Sequence, residues 1–317
     1  MSGLRSFVAR RLLLGATQIV AVVLLVFALT EALPGDAAVA LAGDQPDPAR
    51  IQAIRETMDL DRPALVRLVD WAAGLPRGDF GTSLTSGRPV AQYIADGFGP
   101  TLLLAVLTVL LLVPAGLGLG VLAARHAGRA VDKLVSSVTL AVYAVPEFAL
   151  GVLLVTVFAL KLGWVPPTAV GRSTDLLTHP ATLVLPVLVL LSRPVCSVAR
   201  LVRAGMVEAL ASPYAEHARR YGVPDRRVRY AHALPNAVAP AVQHLARTID
   251  WLLSGVIVVE ALFVIPGLGT VLLTAVAERD VPVVQGLAVV FGVLTVLLNL
   301  GADVVTHRLA PRSEVAA

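Results

Sequence analysis

Six long apolar runs, separated by short polar segments, set the pattern of this chain. They cover about residues 12–33, 101–124, 134–160, 182–199, 237–265 and 281–305. A helix needs ~20 apolar residues to cross ~30 Å of hydrocarbon. Each run therefore predicts one membrane-spanning helix, and the fold class predicted is all-α: a polytopic membrane protein with six transmembrane helices. The first run is too long for a signal-peptide core of ~7–15 residues, and the Leu-Pro-Gly that follows offers no small-residue cleavage site, so it is read as a retained span.

The same pattern predicts three regions: residues 1–33 (N-terminus and first span), a long loop over 34–99, and a core over 100–317 that carries five spans and a polar segment at about 206–236. Within the long loop, Asp47-Pro48 predicts the start of a helix reaching about Met58. Asp61-Arg62-Pro63 predicts a cap with Pro in the first turn of a second helix ending near Gly74. Gly78-Asp79-Phe80-Gly81 predicts a turn. This loop is either a packed connector over the outer mouth or a docking surface for an external partner.

Composition reinforces the membrane reading. With Gly counted in and Tyr left out, roughly 62% of residues are apolar against about 45–50% in soluble domains, and charged residues make up 15%. A soluble fold of this size lacks the interior to hide that much apolar surface. The single cysteine, Cys196, rules out an intrachain disulfide and a cysteine-based metal site.

The net charge of +4 does not point to nucleic acid, because the basic residues are divided among the segments between spans. Sixteen fall in segments that alternate onto one side of the membrane and nine on the other. Basic residues gather on the cytoplasmic side, so both termini and the 206–236 segment are expected in the cytoplasm, with the 34–99 loop outside.

Polar residues inside the apolar runs mark a possible path. Glu147 follows Pro146 at the centre of the third run, where a carboxylate needs a partner, a proton or water. Glu260 lies in the fifth run, and Asn299 and Asp303 lie four apart in the sixth. Arg247 and Asp250, three apart in the fifth, share a helix face. These residues either line a water-filled path or make hydrogen bonds between helices. Pro114, Pro146, Pro186, Pro194 and Pro240 each remove a helical hydrogen bond and predict kinks. Gly116-x3-Gly120 predicts close helix packing.

Catalytic chemistry is missing. There is no G-x-x-x-x-G-K-[ST] phosphate loop, no H-E-x-x-H and no G-x-S-x-G. The six histidines show no ligand spacing, so no catalytic or metal site is expected.

The most informative stretch is the polar segment between the fourth and fifth runs. Ser212-Pro213 predicts the start of a short helix and Gly222 its end. A second, basic turn follows, and the chain returns to the membrane near Pro235. Such a helix at the membrane surface suits a lever pushed by a soluble partner, or an ordinary interfacial loop.

The spacing Glu216-x-Ala218-x3-Gly222, followed by Leu234-Pro235, resembles the EAA loop of ABC importer permeases. Tyr214, Ala218-Arg219-Arg220-Tyr221-Gly222 and His232-Ala233-Leu234-Pro235-Asn236-Ala237 resemble more closely the permeases of dipeptide, oligopeptide and nickel importers, with Arg220 and Tyr221 departing from that pattern. Further matches keep the same order along the chain: Leu33-Pro34-Gly35-Asp36, Leu60-Asp61-Arg62-Pro63, Gly78-Asp79-Phe80-Gly81-Thr82-Ser83, Pro146-Glu147-Phe148, Glu260-x2-Phe263-x2-Pro266-Gly267-Leu268-Gly269, Arg279-Asp280, Asn299-x3-Asp303 and Pro311-Arg312.

The resemblance implies a first-type permease subunit in a bacterial inner membrane. It would pair with a second permease, two cytoplasmic ATPases and an external solute-binding protein. ATP would be bound by the ATPase subunits and no cofactor by this chain. Tyr214, Glu216, Ala218, Arg219, Gly222, His232 and Asn236 would form the ATPase-coupling loop. The substrates implied are peptides, related small solutes or nickel chelates. A second reading stays open: a self-sufficient secondary transporter or channel using the intramembrane acids.

Overall fold

The computed structural model describes residues 2–32, 37–42, 47–57, 59–169 and 179–309. Among them every regular element is a helix, apart from one isolated bridge between Thr82 and Pro89. The helices are α1 (Ser2–Glu31), α2 (Ala37–Ala42), α3 (Pro48–Thr57), α4 (Ala64–Gly74), α5 (Val90–Arg125), α6 (Ala130–Ala144), α7 (Glu147–Leu154), α8 (Ala181–Ala211), α9 (Pro213–Arg220), α10 (Asp225–Arg227), α11 (Leu234–Phe263), α12 (Leu268–Ala277) and α13 (Val281–Leu309). Seven residues of π-helix (Val155–Lys161) extend α7, and six more (Val228–Ala233) lead into α11. The motifs Leu33-Pro34-Gly35-Asp36 and Pro311-Arg312, and the side chains of Arg247, Asp250 and Asp303, lie outside the described residues.

Four helices are long and apolar enough to cross a membrane alone, and two bent pairs bring the number to six. The third apolar run is not one straight helix. It breaks at Val145-Pro146, and α6 and α7 meet at 107°. Pro146 has no amide hydrogen to donate and holds an extended ψ of 141°, so it begins α7 instead of continuing α6. The other four prolines sit within helices that continue past them: Pro114 in α5, Pro186 and Pro194 in α8, Pro240 in α11. The second bent pair brings in α12, a helix that apolar run length did not isolate.

The chain forms two compact units. The first comprises Met1–Leu102 and Val264–Leu300. Its core gathers Val90, Leu268, Ala275, Val283 and Leu287, with Phe80 and Tyr93 packed against them. The long loop is helical much as expected. Asp47 accepts the Ala49 amide at 3.1 Å and caps α3. Asp61 caps nothing, because α4 starts after Pro63 without a side-chain cap bond. Asp79 accepts the Gly81 amide at 3.0 Å in the expected turn. Arg67 fixes α4 to the end of α1 through Glu31 at 2.7 Å.

The second unit comprises Leu103–Phe263 and Gly301–Ala317. α8 is its central post, with two-thirds of its apolar stretch (67%) buried. Gly116 and Gly120 on α5 meet α8 closely: a β-carbon on Gly120 would lie 2.7 Å from the Ala199 carbonyl oxygen, and one on Gly116 would lie 2.6 Å from Val198. Gly118 faces open space. The small-residue pattern is thus a packing face, carried by two of the three glycines. Gly205 lets α11 approach α8 in the same way at Ala237.

Candidate functional site

The polar segment between the fourth and fifth apolar runs begins where α8 ends. Ser212 is extended at ψ 154° and Pro213 supplies the first helical residue of α9. The Ser212 hydroxyl turns back to the Ala209 carbonyl instead of capping α9. At the other end Gly222 takes φ 78°, a left-handed conformation that other residues enter at a cost. Its amide donates to the Arg219 carbonyl at 2.9 Å, and the Val223 amide donates to the Ala218 carbonyl at 3.1 Å. That pair of bonds is a Schellman stop, which satisfies the last carbonyls of α9 and turns the chain sharply.

α9 has two faces. Ala215 is fully buried and Ala218 half-buried, so small side chains let this helix lie close on the structure beneath it. Glu216, His217, Arg220 and Tyr221 point to solvent, with Tyr221 77% exposed. Glu216 pairs with Arg220 one turn on, and the His217 and Tyr221 rings lie 4.6 Å apart.

Four motif residues hold the segment in place. Asn236 donates to the Tyr214 hydroxyl at 3.1 Å and to the His232 carbonyl at 3.0 Å, which fastens α9 to the start of α11. Arg219 donates to Asp225 at 3.0 Å and to the Leu210 carbonyl at 3.1 Å, so its guanidinium ties the end of α8 to α10. Tyr214, Asn236, His232 and Arg219 therefore position the helix, while Glu216 and its exposed neighbours form its outer surface.

One strong contact in this unit escaped the sequence. Arg203 of α8 and Asp132 of α6 form a two-pronged ion pair, the Nη2–Oδ2 arm at 2.7 Å. Asp132 is 3% exposed and also accepts the Gly128 amide at 2.9 Å. The turn between α5 and α6 is thereby locked to α8. An acid in the first turn of a helix is ordinary at a helix start, so nothing in the sequence marked Asp132 as the partner of a residue 71 positions away.

Of the expected path residues, Glu147 lies at the break between α6 and α7, 3.8 Å from Arg193 of α8. Glu260 is completely buried in α11. Asn299 is half-buried on α13 in the other unit. Val264, just after α11, adopts φ 53°, a strained setting for a β-branched residue.

Two sequence motifs meet in the first unit, and a third packs against α5. The buried Asp280 carboxylate accepts from the Ser83 hydroxyl, the Thr85 hydroxyl at 3.0 Å and the Leu84 amide at 3.1 Å, which joins Gly78–Ser83 to Arg279-Asp280. Thr101 accepts the Leu268 amide at 2.9 Å and donates to Gly97 at 3.0 Å, so Pro266-Gly267-Leu268-Gly269 starts α12 against α5. A cavity of about 190 Å³ in this unit is lined by Phe27, Trp71 and Phe80 with Arg62, Arg67 and Asp70. Arg62 is held charged more firmly than an ordinary arginine by its hydrogen bonds to Asp70 and Asp59.

Comparison with known proteins covers nearly all of the chain. Residues 116–315 match the family described as binding-protein-dependent transport system inner membrane component, and residues 4–105 match its N-terminal membrane component. The glutathione transport system permease protein GsiC of Escherichia coli K12 is 36% identical over 306 residues, spanning 96% of this chain and 98% of that protein. GsiC of Salmonella typhimurium LT2 is similar to the same extent. A probable peptide ABC transporter permease, y4tP of Sinorhizobium fredii, is 32% identical over 310 residues with the same coverage.

Proposed function

Because the chain belongs to the binding-protein-dependent transport system inner membrane components, and so is a multi-pass permease subunit of a bacterial inner-membrane ABC importer and not an enzyme, we propose that it carries short peptides and peptide-like solutes and that α9 is its coupling helix. The substrate class is supported by relatives named for glutathione and for peptides. Within the complex the chain would pair with a second permease, two ATPase subunits that bind the ATP, and an external binding protein.

The geometry of α9 carries this reading. It is a short helix fixed at both ends, by the Tyr214–Asn236 bond and by the Gly222 stop, with an exposed outer face of Glu216, His217, Arg220 and Tyr221. A helix held this way transmits a push to α8 and α11 without bending. Closure of the ATPases on ATP would move it, and with it the packing of the spans. Nucleotide and loaded binding protein would thus shift the population between inward-open and outward-open arrangements. No covalent step is needed. The break at Pro146 and the helical outer loop around α3 and α4 supply an elbow and a docking surface for that cycle.

The test is reconstitution. The chain is purified with the products of its neighbouring genes, placed in liposomes and assayed for ATP-driven peptide uptake with and without the binding protein. Co-purification of an ATPase and uptake that depends on the binding protein are expected. Failure of any ATPase subunit to co-purify contradicts the proposal.

A further inference from the structure

At the elbow between α6 and α7, charged groups collect around one aromatic ring. Arg193 and Arg200 lie seven residues apart on α8, about two turns and ~10 Å along its axis, and so on one face. Their guanidinium carbons lie 4.9 and 4.5 Å from the centroid of the Tyr143 ring, in the last turn of α6. Glu147, the first residue of α7, stands 3.8 Å from Arg193. Gly255 of α11 faces it, and a β-carbon there would come within 3.2 Å of the Glu147 carboxylate.

Among the described residues Arg200 makes no hydrogen bond or ion pair; it has the Tyr143 ring and an exposed side. A cation within a membrane helix faces water or a counter-ion, because hydrocarbon solvates it poorly. A guanidinium held against a ring presents its planar fork of N–H donors in a fixed direction, and that fork matches a carboxylate with two parallel hydrogen bonds.

We propose that Arg200, with Arg193 and Tyr143, forms an anion site in the translocation path that receives the carboxylate of the transported peptide. This rests on the reading of the chain as a peptide permease and assigns residues to it. Arg200 is the primary receptor. Arg193 is shared between the substrate and Glu147, and Tyr143 holds both forks in register. Tyr143 and Glu147 lie on opposite sides of the Pro146 break, so a change of angle there alters how strongly Glu147 competes for Arg193. The same elbow that rearranges the spans would then strengthen or release the grip on the substrate.

The experiment compares uptake of radiolabelled trialanine and of its C-terminal amide by the reconstituted full complex. Wild-type, Arg200→Gln and Arg200→Lys chains are each assayed with the same binding protein, so any change in preference between the two peptides is owed to this chain. The wild type is expected to prefer the free acid at least tenfold in kcat/KM. Arg200→Gln should abolish the difference by raising KM for the acid, and Arg200→Lys, with charge but no fork, should reduce it at least threefold. If Arg200→Gln does not assemble, the lysine variant decides alone. An unchanged preference in a variant, or equal uptake of both peptides by the wild type, overturns the anion site while leaving the permease reading intact. Uptake of neither peptide by the wild type overturns the peptide reading, and the anion site with it.

Discussion

Gly222 holds a left-handed backbone at φ 78°, and a β-carbon there would meet nothing within 4 Å. Replacement therefore acts through conformation alone. Asn enters this region at low cost, Ala at about 1 kcal/mol, and a β-branched side chain at more. The expected order of coupling is Gly, then Asn, then Ala, then Val. Measured as peptide imported per ATP hydrolysed, Gly222→Asn should stay near wild type. Gly222→Val should still insert and assemble but lose most of its coupling. Equal coupling across the series would show that the stop of α9 does not need its sharp turn. A similar economy of means appears at Tyr214 and Asn236, where one hydrogen bond, worth about 1 kcal/mol, joins motif residues 22 positions apart.

Close approach governs at the scale of the helix. Gly116 and Gly120 place α5 directly on α8, whereas Gly118 points to open space. Gly120→Leu should push the helices apart, at a cost of at least about 1–3 kcal/mol, and lower the melting temperature of the purified complex. Gly118→Leu should leave it unchanged, and equal losses from the two would contradict the assigned packing face. These helices also show what the sequence made legible. Run length found the spans because hydrocarbon thickness dictates it, and Ser212-Pro213 and Gly222 marked α9 because termini have local chemistry. The Pro146 break was harder to read, since Pro114, Pro186, Pro194 and Pro240 look alike in sequence and sit in continuous helices. Whether a proline bends or breaks a helix depends on what packs beside it. For the candidate site, the spacing of Tyr214, Gly222 and Asn236 was visible. The Arg203–Asp132 pair and the two arginines on Tyr143 were not, because each joins different helices and neither has a local signature.

The whole molecule is a set of apolar helices in which the few charged side chains do most of the specifying. The distribution of basic residues between the spans leads us to propose that α9 lies in the cytoplasm. Buried carboxylates at Asp132 and Asp280 fasten turns to helices within their own units. Exposed groups on α9 form the surface that we propose meets a partner. The central claim is that this surface meets an ATPase, and the cysteine content makes it accessible to test. Cys196 is the only cysteine and is buried, so a thiol introduced by His217→Cys on the outer face of α9 stands out against a quiet background. A photoreactive benzophenone attached to that thiol in the assembled complex should cross-link to an ATPase subunit, with a yield that changes when a non-hydrolysable ATP analogue is added. Cross-linking to lipid or to the external binding protein, or labelling of the same thiol from outside intact cells by a membrane-impermeant maleimide, would contradict the account.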